Sequence, residues 1–280
     1  MIAPHATSQS NPAPTFDAFC RVIAGKQRDA IAHALPRQRD DLIRLLLQGV
    51  EGSHAQRTKR FEALVCVALQ GLEHHPGLLI TFAPPWNTVA IVPHDTAALV
   101  SLYFTLVAIS PPYTDVLGDL HGRVLARFGG DGLGQHFTPP DLADLTAALA
   151  LDHRARHPIA PRSGPVRLHD PACGAGALLL AQFRGDCPRP EHCAVVAQDI
   201  DPLCCAMTAL QLTANAVFHH RPLHELTVLC GNTLSQEFKS PVFFHAQRRP
   251  SLLDQKMDLI RAVWAGSERA DPAAAEEDRV

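Results

Sequence analysis

The residues best suited to chemistry lie in Val166–Gly176. A short apolar run ends in Asp170, Pro171 follows, then Gly174 and Gly176 with one residue between them, then an apolar segment of helical spacing. Glycines at such a junction let the backbone turn sharply and let a ligand lie against it without a Cβ in the way. The start of the following helix offers backbone N–H groups that have no partner within the helix. Together these features describe a nucleotide-like ligand held at the carboxyl end of the first strand of an open sheet. About twenty residues on, a second apolar run ends in Gln198-Asp199. A carboxylate there can accept hydrogen bonds from both hydroxyls of a ribose. A nicotinamide site would instead show Gly-x-Gly-x-x-Gly without the preceding Asp-Pro.

Elements able to hold these residues follow from apolar periodicity. From Val166 the order is strand, turn, helix, strand, helix, strand. Strands are expected at Val166–His169, Ala194–Gln198 and Leu226–Cys230, and helices at Ala177–Phe183 and Pro202–Val217. Such alternation implies a parallel sheet with helical crossovers. Upstream, the pattern is helical from Phe16 to about Leu72, with Leu42, Leu45, Leu46 and Val50 and then Phe61, Leu64, Val65 and Leu69 at helix spacing. The basic residues among them (Arg37, Arg39, Arg44, Arg57, Lys59, Arg60) suit either a solvated helix face or a contact to DNA or a partner. Short strands are expected at Leu78–Phe82 and Thr88–Val92, and helices at Thr96–Ile109, Asp115–Phe128 and Asp141–Leu151. The expected organisation is a flexible leader over 1–14, a mainly helical N-terminal domain over 15–112, and a ligand-binding domain over 113–240. A helical extension over 241–265 and a disordered tail over 266–280 complete it.

Composition narrows the class. With 46% hydrophobic and 19% charged residues the 280-residue chain reads as a soluble globular protein, and a net charge of −3 argues against coating nucleic acid by bulk electrostatics. No apolar run is long enough for a membrane span, and the first twenty residues lack a secretory pattern. A cytoplasmic location with reduced thiols is therefore expected for the eight cysteines. Cys187, His192 and Cys193, with Cys204 or Cys205, lack the paired Cys-x2-Cys spacing of a zinc site, so no metal is expected.

Four segments, in order and spacing, resemble the N-6 adenine-specific DNA methylases, particularly the modification subunits of type I restriction systems. Gly134-Gln135-His136-Phe137-Thr138-Pro139 is similar to the family's G-Q-[YF]-F-T-P segment. Asp170-Pro171-Ala172-Cys173-Gly174-Ala175-Gly176 is similar to its D-P-A-C-G-[ST]-G loop, with Ala175 in place of the hydroxyl residue. Gln198-Asp199-Ile200-Asp201-Pro202 resembles the ribose-binding segment, and Gly231-Asn232-Thr233-Leu234 the G-D-[ST]-L segment, with Asn232 in place of Asp. Asp115-Val116-Leu117-Gly118-Asp119-Leu120 is similar to the helix leading into the family's catalytic domain.

The resemblance implies S-adenosylmethionine as cofactor, DNA as substrate and a specificity or catalytic subunit as partner. Phe137, Thr138 and Pro139 would close over the methionine part, and Asp170, Pro171, Ala172, Cys173, Gly174 and Gly176 would form the loop. Asp199 and Ile200 would hold the ribose side, and Asn232 and Leu234 the adenine ring. The expected fold is α/β, an incomplete Rossmann-like methyltransferase sheet preceded by helices.

The family also carries [ND]-P-P-[YF] after the cofactor motifs, where a flipped base stacks on the aromatic residue. No such tetrapeptide follows Leu234; Ser240-Pro241-Val242-Phe243 is the nearest string. Some 37 residues remain after it, too few for the four further strands of a complete methyltransferase sheet, so the chain reads as shortened. Ser110-Pro111-Pro112-Tyr113 matches a catalytic loop placed upstream in permuted enzymes, and Ala83-Pro84-Pro85-Trp86 is a poorer match. Only 20 residues separate Tyr113 from Gly134, and 47 separate Trp86 from it, where three strand-helix units would have to fit. Both strings are better read as Pro-Pro turns. Two functions lead: adenine-N6 methylation of DNA, or a catalytically inactive S-adenosylmethionine-binding accessory module of a restriction system or mobile element; methylation of protein or RNA is a weaker third.

Overall fold

A computed structural model describes residues 33–50, 53–83, 95–125, 137–156, 164–184, 189–235, 237–238 and 243–250. Helix α1 covers 33–47. It is followed by α2 (His54–Glu73), β1 (Leu78–Phe82), α3 (Thr96–Ile109), α4 (Leu117–Val124) and α5 (Pro140–Arg156). After these come β2 (Val166–Asp170), α6 (Ala177–Arg184), β3 (Cys193–Asp199), α7 (Pro202–Phe218), β4 (Glu225–Asn232), β5 (Glu237–Phe238) and β6 (Phe244–Arg248).

The fold is mixed α/β, as the alternation predicts. Strands β2, β3 and β4 are parallel neighbours, joined by the crossovers through α6 and α7. On the far side of β4 the sheet turns antiparallel. Strand β6 pairs with β4, β1 pairs with β6 from Leu78↔Arg248 to Phe82↔Phe244, and the short β5 folds back on β4. The strand order β1-β6-β4-β3-β2 leaves β2, the strand that leads into the Gly-x-Gly turn, at one edge of the described sheet.

Helix α7 organises the core. Asp201 caps it by accepting the Leu203 N–H at 2.9 Å, and Pro202 occupies the first turn, where its missing N–H costs nothing. Every residue from Leu203 to Ala216 is buried, because one side of α7 lies on β3, β4 and β6 and another meets α2, α3 and α4. Strands and N-terminal helices share one cluster that includes Leu64, Leu99, Leu117, Leu210, Val228 and Phe244, so the core is continuous across position 112. No helix among the described residues is long and apolar enough to cross a membrane.

Two features differ from the sequence expectation. Phe244–Arg248, expected within a helical extension, is a strand: Phe244 and Ala246 point into the core between β4 and β1, while Gln247 and Arg248 face solvent. The segment expected to be helical from Asp115 becomes helical only at Leu117, because Asp115 turns its carboxylate onto the Gly118 N–H at 2.8 Å. The expected strand Thr88–Val92, the leader 1–14 and the tail 266–280 lie outside the described residues.

Of the basic residues on the first helices, Arg57 and Arg60 are buried. The Arg60 guanidinium reaches the Gln48 carbonyl and forms an ion pair with Asp95. Arg39 pairs with Asp119 and Arg44 with Asp41.

Candidate functional site

The loop after β2 is held from several sides. The Asp170 side chain accepts the Ala172 N–H at 3.2 Å, and the Cys173 N–H donates to the Gln198 carbonyl at 2.8 Å. The Gly174 N–H donates to Asp199 Oδ2 at 2.8 Å, which joins the loop to the end of β3. Both glycines adopt left-handed backbone, with φ of +52° at Gly174 and +88° at Gly176, conformations that other residues resist. A Cβ at Gly174 would meet the Phe137 ring at 3.2 Å, and one at Gly176 would meet Thr208 Oγ1 at 3.1 Å. From α7, Thr208 donates to the Gly174 carbonyl at 2.8 Å and Gln211 to the Ala175 carbonyl at 2.7 Å.

A cavity of about 380 Å³ opens where β2, β3 and β4 end, within the range usual for small-molecule sites. Pro171, Ala172, Asp199, Ile200, Asn232 and Leu234 all line it, so three of the four sequence segments converge on one space. Ile200 and Leu234 are 51% and 97% exposed, apolar surface that a flat ligand could cover. Thr233 Oγ1 donates to the Pro171 carbonyl at 2.8 Å, tying the β4 loop to the β2 loop. Asp199 Oδ1 accepts the Asp201 N–H, while Asn232 Oδ1 accepts the N–H groups of Leu234 and Ser235. With its oxygen committed to that turn, Asn232 has its NH₂ group to offer as a donor.

Asp170 is buried, and its Oδ2 has no hydrogen-bond partner among the described residues. Burial raises its pKa above the ordinary carboxylate value and the Asp199 charge adds to this, while the Ala172 N–H and His169 oppose it. It borders a second cavity of about 310 Å³ between β2, α5 and α6. Cys173 is buried, and burial pushes its thiol up, which suits a packing role and not a nucleophile.

The fourth segment reaches the loop through Phe137. Its ring lies over Gly174 and meets the His121 ring edge-on at 4.7 Å. Thr138 is half-buried and Pro139 exposed as the chain enters α5; Gly134, Gln135 and His136 lie outside the described residues.

Ser110-Pro111-Pro112-Tyr113 is placed elsewhere. Tyr113 is fully buried, its N–H donates to Asn215 Oδ1 at 2.5 Å, and its hydroxyl donates to the Arg221 carbonyl at 2.7 Å. Arg221 also lies over the ring, 5.4 Å from its centre. Ser110 is buried and donates to the Leu106 carbonyl. Asn215 is seven residues beyond Thr208, about 10 Å farther along α7 from the loop. A ring packed in this way has no open face for a base to stack on, so the Pro-Pro turn fits and a catalytic loop does not. Phe243 is likewise buried, joined through its N–H to the Val228 carbonyl, while Ser240, Pro241 and Val242 lie outside the described residues. Ala83 donates to the Phe243 carbonyl, and Pro84–Trp86 lie outside.

Sequence reasoning missed Thr208 and Gln211. A signal for them exists: Thr208, Gln211 and Asn215 are polar, buried and spaced to share one stripe of an otherwise apolar helix.

Residues 113–263 match the family described as N-6 DNA Methylase. No curated protein matches the chain. Among solved structures it is similar to a Listeria monocytogenes protein described as a class I S-adenosylmethionine-dependent methyltransferase. That pair shares 15% identity over 76% of this chain and 57% of the other, with a TM-score of 0.46. A second is the methyltransferase subunit of a type I restriction-modification system from Streptococcus thermophilus, with 16% identity over 69% of this chain and 46% of the other, at a TM-score of 0.35. The chain thus spans little more than half of the first structure and less than half of the second. Since the family match takes in more than half of the 280 residues, and with them the loop, the end of β3 and the turn after β4, the chain belongs to the N-6 DNA methylase family.

Proposed function

We propose that the chain binds S-adenosylmethionine in the cavity at the ends of β2, β3 and β4 and serves adenine-N6 methylation of DNA. The observation that carries this reading is the convergence of Asp199, Ile200, Asn232 and Leu234 on one cavity beside the Asp170–Gly176 loop. The residues present fit the cofactor. Asp199 supplies carboxylate lone pairs for ribose hydroxyls, and Ile200 and Leu234 supply apolar surface for the adenine ring. Asn232 supplies a donor to the ring edge. When bound, the cofactor supplies an activated methyl group; the chain's own contribution is to orient it and to keep the loop rigid around it.

The burial of Tyr113 favours a second reading within the same site. If the base-holding residues come from a partner chain, this polypeptide is the cofactor-binding part of a divided enzyme or an inactive accessory module. A DNA substrate, a specificity or catalytic subunit and a cytoplasmic location belong to the same proposal.

Calorimetry with S-adenosylmethionine, followed by tritiated methyl transfer to unmethylated adenine-rich DNA, tests both readings. Binding with transfer supports the autonomous enzyme. Binding without transfer, even after a candidate partner subunit is added, leaves the accessory role. No binding overturns both.

A further inference from the structure

We propose that Gln211 is a positioning residue for the cofactor loop, fixing its shape and joining it to the turn that starts α4; this rests on reading Asp170–Gly176 as the cofactor site. The Gln211 side chain is buried in α7 with every hydrogen-bonding position of its amide engaged. Its Oε1 accepts the Val116 N–H at 2.7 Å and the Leu117 N–H at 3.0 Å. Its Nε2 donates to Asp115 Oδ1 at 2.8 Å and to the Ala175 carbonyl at 2.7 Å. Two donors facing the oxygen fix the amide's orientation, so the NH₂ group must face the carboxylate and the loop.

This arrangement does more than fill space. The N–H groups at a helix start lack intrahelical partners. Those of Val116 and Leu117 are met here by a side chain of another helix, while Asp115 meets Gly118. Helix α4, placed in this way, presents His121 to Phe137, and Phe137 lies on Gly174. The loop is therefore held from α7 directly at Ala175 and from α4 indirectly at Gly174. Substituting only the amide should loosen the loop without disturbing the strands beneath it.

Gln211→Met keeps the side-chain length and removes all four hydrogen bonds. Hydrogen exchange without ligand should quicken at the Cys173, Gly174 and Gly176 amides by roughly tenfold or more, while Val195 and Val228 in β3 and β4 keep their protection. S-adenosylmethionine affinity should fall about tenfold or more.

Gln211→Glu adds a signature that simple packing does not give. Ionised, the side chain cannot donate to Ala175 and faces the Asp115 carboxylate; protonated, it regains one donor. Loop exchange and affinity, each relative to wild type, should therefore be impaired at pH 8 and recover toward pH 5.5.

Uniform loss of protection across the sheet, unchanged loop exchange in Gln211→Met, or a Gln211→Glu defect independent of pH would overturn the proposal. Wild-type binding of S-adenosylmethionine with unaltered affinity in both variants would do the same. A wild-type protein that shows the expected exchange pattern but binds no S-adenosylmethionine refutes the cofactor reading and leaves the loop-holding role standing. Should Gln211→Met not fold, Gln211→Glu across pH carries the test.

Discussion

At Asp199 one carboxylate oxygen holds the Gly174 N–H and the other the Asp201 N–H, so this side chain shapes the loop as well as facing the cavity. Asp199→Ala is expected to weaken S-adenosylmethionine binding by about 1.5–3 kcal/mol in calorimetry, through loss of charge-assisted hydrogen bonds. Leu234 offers a cleaner test because it is almost wholly exposed. Leu234→Ser should leave the melting temperature unchanged yet cost affinity by about 1–2 kcal/mol if the side chain is covered by ligand. Tyr113→Phe should behave in the opposite way. Loss of the hydroxyl removes its hydrogen bond to the Arg221 carbonyl, costing about 1–2 kcal/mol in urea unfolding with ligand affinity intact. For Asp115, burial raises the pKa above its ordinary 3.8, against the opposing hydrogen bonds from Gln211 and Gly118. The folded state then holds this proton to higher pH than the unfolded chain. The associated stability is fully present below 3.8 and is lost as pH rises through the folded-state value. Asp115→Asn lacks that loss, so the variant's melting temperature relative to wild type should climb as pH increases from about 4.

At the scale of elements, the Gly-x-Gly turn is set by backbone shape as much as by side chains. Gly176→Ala at φ +88°, with Thr208 against the new Cβ, should destabilise the fold by about 1–3 kcal/mol in thermal unfolding. This turn was legible in the sequence, since an apolar strand, Asp-Pro and two glycines before a helix admit few other conformations. Strands β2, β3 and β4 and helices α3, α6 and α7 were legible for the same kind of reason: buried elements write their period in apolar residues. Strand β6 was not. Phe244-His245-Ala246-Gln247-Arg248 has only two inward apolar residues, and they become a strand because β4 and β1 flank them. The start of α4 was misjudged because Asp115 serves a cap and Gln211, and both bonds come from residues distant or out of helical phase.

For the whole molecule, the sequence motifs include three segments that line one cavity, but they do not say how the N-terminal helices attach. Periodicity shows that α2 and α3 each have an apolar face, and nothing in it says that those faces meet α7 and so share the core of the sheet. Placing Tyr113 needed the structure as well: an aromatic after two prolines looks the same in a sequence whether it is offered to a base or buried under Arg221. Because the core is continuous, damage in one part should be felt throughout. Phe244→Ala, at the junction of β6 with β1 and β4, should cost about 3–5 kcal/mol, with the helical signal and the near-ultraviolet signal of the buried Tyr103 and Tyr113 lost in one transition.

The pairing of β1 with β6 also has a meaning in time. Leu78–Phe82 leaves the ribosome before its neighbour Phe244–Arg248, which follows more than 160 residues later. At about 5–20 residues per second, β1 waits roughly 8–30 seconds for the only strand that it pairs with among the described residues. During that interval its exposed edge and apolar side chains are open to wrong partners, so a nascent chain stalled before β6 should be the form most dependent on chaperones.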